Sequence, residues 1–425
     1  MTSPAETTVD VELAPALHQP AARSDPGLLG CRTAVQKALE DLVDRLGVGV
    51  GITVNIGCAP DALELFTVTA GGARCDTDDS ASSSLFRGVA GIPWYRQAGE
   101  AEAVLAGRAR SGDVAGFSTV LSAVVTEAVG RNAIALVDRD HLASILSEGA
   151  PPPGAVAGLE LALRLGLSLR DAHDRYHQAV DPGLPAAGIA EQVVDSLASG
   201  TWRIKIHPGY LEALLESADV AAPDGFAAAR KGLYTELGVA LPDLTVVEDP
   251  ALPEFGFAFD LGGADPPPFI GLPPDAVLAI STTGDDPRVV EPLTGIGAAV
   301  IPAAQATSEA TGAITPVGLM ARAFRYAIAD RLPSTITLSS TRSQVDLLQY
   351  LAPRLTEAIR PHLVALTRRR RAMVSAGTSV RDLAAIAQTI LDESVRPAPQ
   401  PAGASRAGAA RESERAGAAD PSPGR

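Results

Sequence analysis

The stretch Phe226–Asp249, FAAARKGLYTELGVALPDLTVVED, holds a helix, a stop and a strand in one run. Leu233 and Leu237 are spaced i, i+4, with Phe226, Ala229 and Arg230 a turn or two earlier, which predicts an amphipathic helix over Phe226–Leu237. Gly238 suits the left-handed residue that ends a helix. Leu241-Pro242 blocks continuation, because proline lacks the N–H that a helix needs. Leu244, Val246 and Val247 then predict a buried strand. Any α/β domain uses such a run. What decides the fold is that the same order occurs earlier: Leu46-Gly47-Val48 stands between a predicted helix, Arg32–Leu46, and a predicted strand, Ile52–Ile56.

Further matches keep the same order. Val11-Glu12-Leu13-Ala14-Pro15 corresponds to Ile204-Lys205-Ile206-His207-Pro208. Ala133-Ile134-Ala135-Leu136 corresponds to Thr335-Ile336-Thr337-Leu338, with Ile145-Leu146 and Leu347-Leu348 beyond. Leu167-Ser168-Leu169-Arg170-Asp171 corresponds to Thr378-Ser379-Val380-Arg381-Asp382. A repeat this long is a duplicated domain rather than a solenoid, whose periods are about 20–50 residues. The expected organisation is a loose N-terminus (1–6), a first unit (7–183), a connecting helix or linker (184–199), a second unit (200–395) and a tail (396–425). The tail holds almost nothing but Ala, Gly, Pro, Ser, Arg and Glu, which cannot bury enough surface to order itself.

Between these landmarks the chain predicts strands at Val9–Leu13, Leu63–Thr69, Trp202–Ile206, Phe255–Asp260 and Ala276–Ile280. Helices are expected at Gly112–Val129, Asp138–Leu146, Leu159–Val180 with a break at Gly166, Gly312–Ala329, Ser343–Tyr350, Pro353–Val374 and Ser379–Asp392. Ala133–Val137 and Thr335–Leu338 read as β-like, and Asp76–Ser84 as a surface loop. The fold class is therefore α/β with helical subdomains, α+β overall, in two tandem units.

The 425 residues are 46% hydrophobic but only 4% aromatic, so the core must be built from Ala, Val, Leu and Ile. The net charge of −15 argues against non-specific binding to nucleic acid or to anionic lipid. The cysteines, Cys31, Cys58 and Cys75, fit no zinc or disulfide spacing, and are expected to be reduced core thiols. No segment reaches the roughly 18 apolar residues of a membrane span, and no signal peptide is visible, so a cytoplasmic location is expected.

The quoted run resembles the "iRkqla-ELG-f-iPpvrI-dn" element in the cytoplasmic region of the FHIPEP family, the flagellar and type III secretion export-gate proteins. FGFAFDLGG with FIGLPPDAVLAIS is similar to "Y-i-i-G … g-l-p-g-lLAI". Glu291-Pro292 with Gly295-Ile296 resembles "EPafGlpa-Wi", and TSVRDLAAIAQTILD resembles "vsIRDl-tIle-l". In the first unit VDVELAPAL resembles the family's "lElGygL" strand. The family's membrane half is missing, and its expected "tHl" histidine is replaced within Ala321–Phe324. The resemblance implies a non-enzymatic scaffold linked to protein secretion, because the family's cytoplasmic region forms a ring that docks chaperones and cargo. The partners it implies are other proteins, cargo- or chaperone-like or assembly partners, and further copies of the chain.

No phosphate-binding loop, dinucleotide fingerprint or nucleophile elbow is present. Neither a metal nor an organic cofactor is expected. His173 and His177, one helical turn apart, could seat a metal, or could be two ordinary histidines. A site shared by the two units around His173, His177 and His207 is the enzyme alternative. Arg170-Asp171 and Arg381-Asp382 could dock a partner or could serve as first-turn helix charges, with Ser168 and Ser379 as caps. Arg368–Arg371 could bind an acidic partner or complement a helix C-terminus. Phe255, Phe257 and Phe259 alternate on one strand face, as core or as a peptide groove. The residues singled out for partner docking are Phe255, Phe257, Phe259, Arg381 and Asp382.

Overall fold

The computed structural model describes residues 6–22, 27–59, 66–75, 105, 108, 114–146, 151–152, 154–198, 200–216, 225–263, 268–280, 289–290, 297–306 and 313–395. The loop expected over Asp76–Ser84 and the tail from 396 lie outside them.

The first sheet starts with β1 (Glu6–Leu13), where Val9, Val11 and Leu13 alternate into the core while Glu12 faces out. That period of two needs a helical cover on one face only. Helices α1 (Pro15–Ala22) and α2 (Gly27–Leu46) follow, then β2 (Gly51–Cys58), β3 (Phe66–Ala70) and β4 (Ala73–Cys75). The strand order is β2-β1-β3-β4, with β1 parallel to β2 and antiparallel to β3. On α2 the residues Cys31, Val35, Leu39, Leu42, Val43 and Leu46 form the buried stripe. It packs on α3 (Val114–Arg131), where Cys31 Sγ and Ser118 Oγ lie 3.0 Å apart. Four helices complete this half: α4 (Arg139–Leu146), α5 (Ala155–Arg164), α6 (Ala172–Ala179) and α7 (Ala186–Ala198).

The second half opens with β5 (Trp202–Ile206), α8 (Pro208–Glu216), α9 (Phe226–Leu237), β6 (Leu244–Glu248), β7 (Gly256–Asp260) and β8 (Phe269–Ile270). Their order is β6-β5-β7-β8, with β5 parallel to β6 and antiparallel to β7. Both sheets therefore have the same order and the same strand directions. The second half also carries an antiparallel sheet of β9 (Ala276–Ile280), β10 (Val289–Val290) and β11 (Gly297–Pro302). Its helices are α10 (Pro316–Ile328), α11 (Leu338–Leu348), α12 (Pro353–Ile359), α13 (Leu363–Ser375) and α14 (Leu383–Val395). Two separate apolar cores result, one running from Val9 to Leu197 and the other from Trp202 to Ile390. Helix α7 contributes Ile189, Val193, Val194 and Leu197 to the first.

Several expectations are corrected. Ala133–Leu136 is a 3-10 turn, and Thr335 closes another that runs from Ala329, while α11 begins at Leu338. A short apolar run has no periodicity to tell strand from turn. Strand β6 forms as expected but is exposed from Thr245 to Glu248, because it is the outermost strand of its sheet. Cys58 is exposed, unlike Cys31 and Cys75.

Candidate docking site and the junction of the two halves

The aromatic residues read from sequence divide. Phe257 and Phe259 are 0% and 1% exposed, so a partner cannot reach their rings in this state. They pack with Phe269, the rings of Phe257 and Phe269 stacking at a centroid distance of 5.2 Å, and Phe259 also meets Phe324. Phe255 precedes the strand, has a left-handed φ of 59°, and packs edge-on against Tyr210. The alternation of three phenylalanines on one face thus serves the core, with Phe255 at its rim.

Arg381 and Asp382 lie where α14 meets α9. Gly238 has φ 77°, and a Cβ there would come within 2.5 Å of Arg381 Cγ and 2.8 Å of its N. The Val380 N–H donates to Leu237 O at 2.8 Å, and Arg381 Nη1 donates to Thr235 O at 3.1 Å. Gly238 is therefore required twice, by its left-handed backbone and by the chain lying against it. Leu237, expected to be buried, is half-buried. The first half has the same arrangement. Gly47 has φ 66° and its Cβ would come within 2.5 Å of Arg170 N, the Leu169 N–H donates to Leu46 O at 2.7 Å, and Arg170 Nη2 donates to Asp44 O at 2.9 Å.

The helix caps differ from the sequence expectation. Asp382, not Ser379, caps α14 by accepting the Ala385 N–H at 2.9 Å. Asp171 stands at the N-cap position of α6 with a left-handed φ of 60°, but its side chain makes no capping bond. Ser168 and Ser379 instead accept the Arg170 and Arg381 N–H groups within the preceding turn. Arg381 and Asp382 remain exposed after making these bonds.

The arginine run of α13 is neither a free basic patch nor a simple dipole complement. Arg371 Nη1 donates to Glu191 Oε2 at 2.6 Å and Arg368 Nε to Glu191 Oε1 at 3.0 Å. Arg371 Nε also donates to Ile336 O at 2.7 Å. Arg370 points inward and donates to Thr341 Oγ1 at 2.9 Å, and burial pulls its pKa down to about 10. Arg369 lies 3.7 Å from Glu393. Glu191 belongs to α7 and is fully buried, so this fork ties the first core to the helices of the second half. One turn on, Asp195 accepts the Leu338 and Ser339 N–H groups, each at 2.7 Å, and so caps α11 from outside its own half. Burial pushes the Asp195 carboxyl up, against the pull of those two N–H groups. Ser168 N–H donates to Gly262 O at 3.0 Å, and Arg331 Nη1 donates to Leu165 O and Gly166 O.

The histidines show no ligand-like convergence. His173 Nδ1 donates to Leu146 O at 2.6 Å, and its ring stands edge-on to His177 at 4.6 Å. His207 lies in the other half, at the end of β5. Among the described residues, no three His, Cys, Asp or Glu side chains are placed to hold a metal ion.

The sequence profile of the FHIPEP family matches residues 155–402, more than half of the chain. The chain belongs to the FHIPEP family. No curated protein matches the sequence. Among solved structures, similar ones include the Chlamydia pneumoniae CdsV protein, 17% identical with a TM-score of 0.40 over 46% of this chain and 66% of that one. The Shigella flexneri MxiA protein is 12% identical, TM-score 0.34, over 48% and 62%. Nonameric EPEC SctV-C is 13% identical, TM-score 0.36, over 48% and 62%. The match thus spans just under two thirds of the length of each of these chains.

The FHIPEP match begins at α5, so it takes in the whole junction as well as the second half. The junction residues Glu191, Asp195 and Arg331 were not singled out from sequence. Glu191 left one signal: a carboxylate on the otherwise apolar face of Ile189, Val193, Val194 and Leu197 needs a buried cation. Elsewhere in this FHIPEP protein, Leu347, Tyr350 and Leu351 are 66%, 87% and 86% exposed. Next in the chain is a shallow groove of about 570 Å³ lined by Ala352, Pro353, Arg354, Leu355, Ala358, Gln388 and Leu391. No helix among the described residues is long and apolar enough to cross a membrane.

Proposed function

We propose that this FHIPEP protein is a non-enzymatic, cytoplasmic scaffold that binds other proteins in a secretion-related process. The observation that carries the reading is the family match over 155–402, since the family's cytoplasmic region is a docking platform. The exposed turn at Leu347, Tyr350 and Leu351 supports it, because contiguous exposed apolar surface marks interaction sites. Cargo- or chaperone-like proteins, or further copies of the chain, would meet that surface, with the exposed Arg381 and Asp382 available to a partner.

We further infer that the chain is two copies of one unit, bounded near 7–183 and 200–395, with 184–199 as a connecting helix. The shared strand order and directions support this, as do the paired glycines Gly47 and Gly238 with their paired Arg-Asp turns. The β9–β11 sheet would be an insertion in the second copy. Sequence profiles built from relatives of each half should align with Gly47 on Gly238 and Arg170 on Arg381; an alignment that offsets them would refute the duplication.

The functional reading is tested by affinity purification of the whole chain from its host, beside a Leu347→Glu/Tyr350→Glu variant. A partner held by the wild type and lost from the folded variant is expected. Turnover of a small molecule abolished by His173→Ala would overturn the scaffold reading in favour of an enzyme.

A further inference from the structure

The edge of the second sheet differs from its counterpart in the first. In a parallel ladder, alternate residues turn their N–H and C=O to the same side. Asp249 N–H donates to Ile206 O at 2.9 Å, so Thr245 and Val247 also face β5. Leu244, Val246 and Glu248 therefore direct their backbone groups to the open side, where no partner occurs among the described residues. In the first sheet the same parity holds, because Ala59 N–H donates to Leu13 O. There Gln36 of α2 closes the edge, donating to Ile52 O and accepting the Val54 N–H. A glutamine amide in that place supplies the donor and acceptor that a neighbouring strand would supply. Gln36 stands eleven positions before Gly47, and the residue eleven before Gly238 is Ala227, which has no such group.

Side-chain cover differs in the same way. On β2, Val54 is 0% exposed and Ile56 packs against the core. On β6, Val246 pairs with the buried Ile204 and so shares its core-side face, yet is 53% exposed. Val247, on the opposite face, is 40% exposed. Glu248 is exposed at the strand's far end, with Asp249 next to it.

We propose that β6 is a strand-addition site, which takes an extended segment of a partner protein with β-branched residues at alternate positions and a basic residue at one end. The proposal rests on the protein-binding reading above and gives it a second surface. Main-chain bonds to Leu244, Val246 and Glu248 supply affinity, Val246 covers the segment's apolar side chains, and Glu248 meets its cation. Three features argue for an extended segment. Backbone groups alternate with apolar side chains along the edge, the strand runs out into the acidic pair Glu248-Asp249, and the sister edge is closed by an amide side chain. The chain's own tail does not fit, because residues 396–425 contain no Val, Ile, Leu or aromatic residue. A second copy is the remaining alternative and an outcome of the test.

The probe is a fluorescent peptide, Lys-Val-Thr-Val-Thr-Val-Lys, titrated against the full chain and read by anisotropy. Val246→Pro removes a donor from the open edge without touching the β5 ladder, since proline is tolerated on an edge strand. Val246→Lys is the second variant, because an edge lysine discourages pairing. Saturable binding is expected, weakened about tenfold or more by either variant while the thermal melt is retained. N-methylation of the peptide on one alternate set of amides should abolish binding and on the other set should leave it intact. Equal binding to wild type and variants, equal effects of both methylation sets, or no binding at all would overturn the proposal. So would concentration-dependent self-association of the chain that Val246→Pro removes, which would assign the edge to a second copy. A partner captured equally by wild type and Val246→Pro would sink the edge proposal while leaving the scaffold reading standing.

Discussion

Glu191 on α7 accepts a 2.6 Å hydrogen bond from Arg371 on α13, and both side chains are shut away from solvent. Each group alone would be an uncompensated buried charge. Together with Arg368 they join the two cores, beside the Asp195, Ser168 and Arg331 contacts of the same junction.

Glu191→Ala should therefore destabilise the chain by roughly 3–5 kcal/mol, since breaking a buried pair leaves the other charge stranded. The double variant Glu191→Ala/Arg371→Met should recover most of that loss, because it buries no unpaired ion. Urea unfolding monitored by fluorescence checks both, and a double variant no more stable than Glu191→Ala would contradict the ion-pair account.

Arg370 gives a prediction of opposite sign. It is 2% exposed, it donates to Thr341 Oγ1, and its Nε has no partner among the described residues. Arg370→Met should stabilise the chain by about 1 kcal/mol or more at neutral pH, by removing a desolvated charge. Its pKa falls on folding from the usual guanidinium range to about 10, so above that value the unfolded chain binds more protons. Stability from this group then rises with pH, because the buried charge is relieved. The advantage of Arg370→Met should be full below pH about 10 and should shrink above it. Paired denaturant titrations at neutral and alkaline pH measure the difference.

At Gly238 the backbone and the neighbouring chain act together. Gly238→Val should cost roughly 1–2 kcal/mol or more from left-handed strain alone. Gly49 isolates that strain: its φ is 63°, yet nothing lies within 4 Å of a Cβ placed there. Gly238→Ala should lower the melting temperature more than Gly49→Ala does, by the overlap with Arg381. Equal losses would mean that close approach adds nothing.

His173 holds the end of α4 to α6 through Leu146 O. His173→Ala should cost about 1 kcal/mol, the usual net value of one hydrogen bond. Elemental analysis of the purified chain should show no stoichiometric metal before or after the change. A metal lost on His173→Ala would assign the histidine pair a ligand role.

Local signals carried much of the architecture. Gly47 and Gly238 stop helices, Pro15 and Pro208 end strands, and the alternation of Val9, Val11 and Leu13 marks a one-sided strand. Each is fixed by near neighbours in the chain, so each could be read without coordinates. The repeated order of these signals likewise pointed to two sheets of one topology. What the sequence left open was whatever depends on distant partners. The arginine run could have met an acidic partner or a helix C-terminus until Glu191 arrived from the other half, and the phenylalanines could have been groove or core until Phe269 and Phe324 closed over them. Strand β6 reads as buried from its Val-Val run, yet it lies at a sheet edge, and strand order is set by pairing between residues far apart in sequence. Burial and charge pairing are properties of the assembled layers, so only the tertiary structure decided which surfaces remain for a partner.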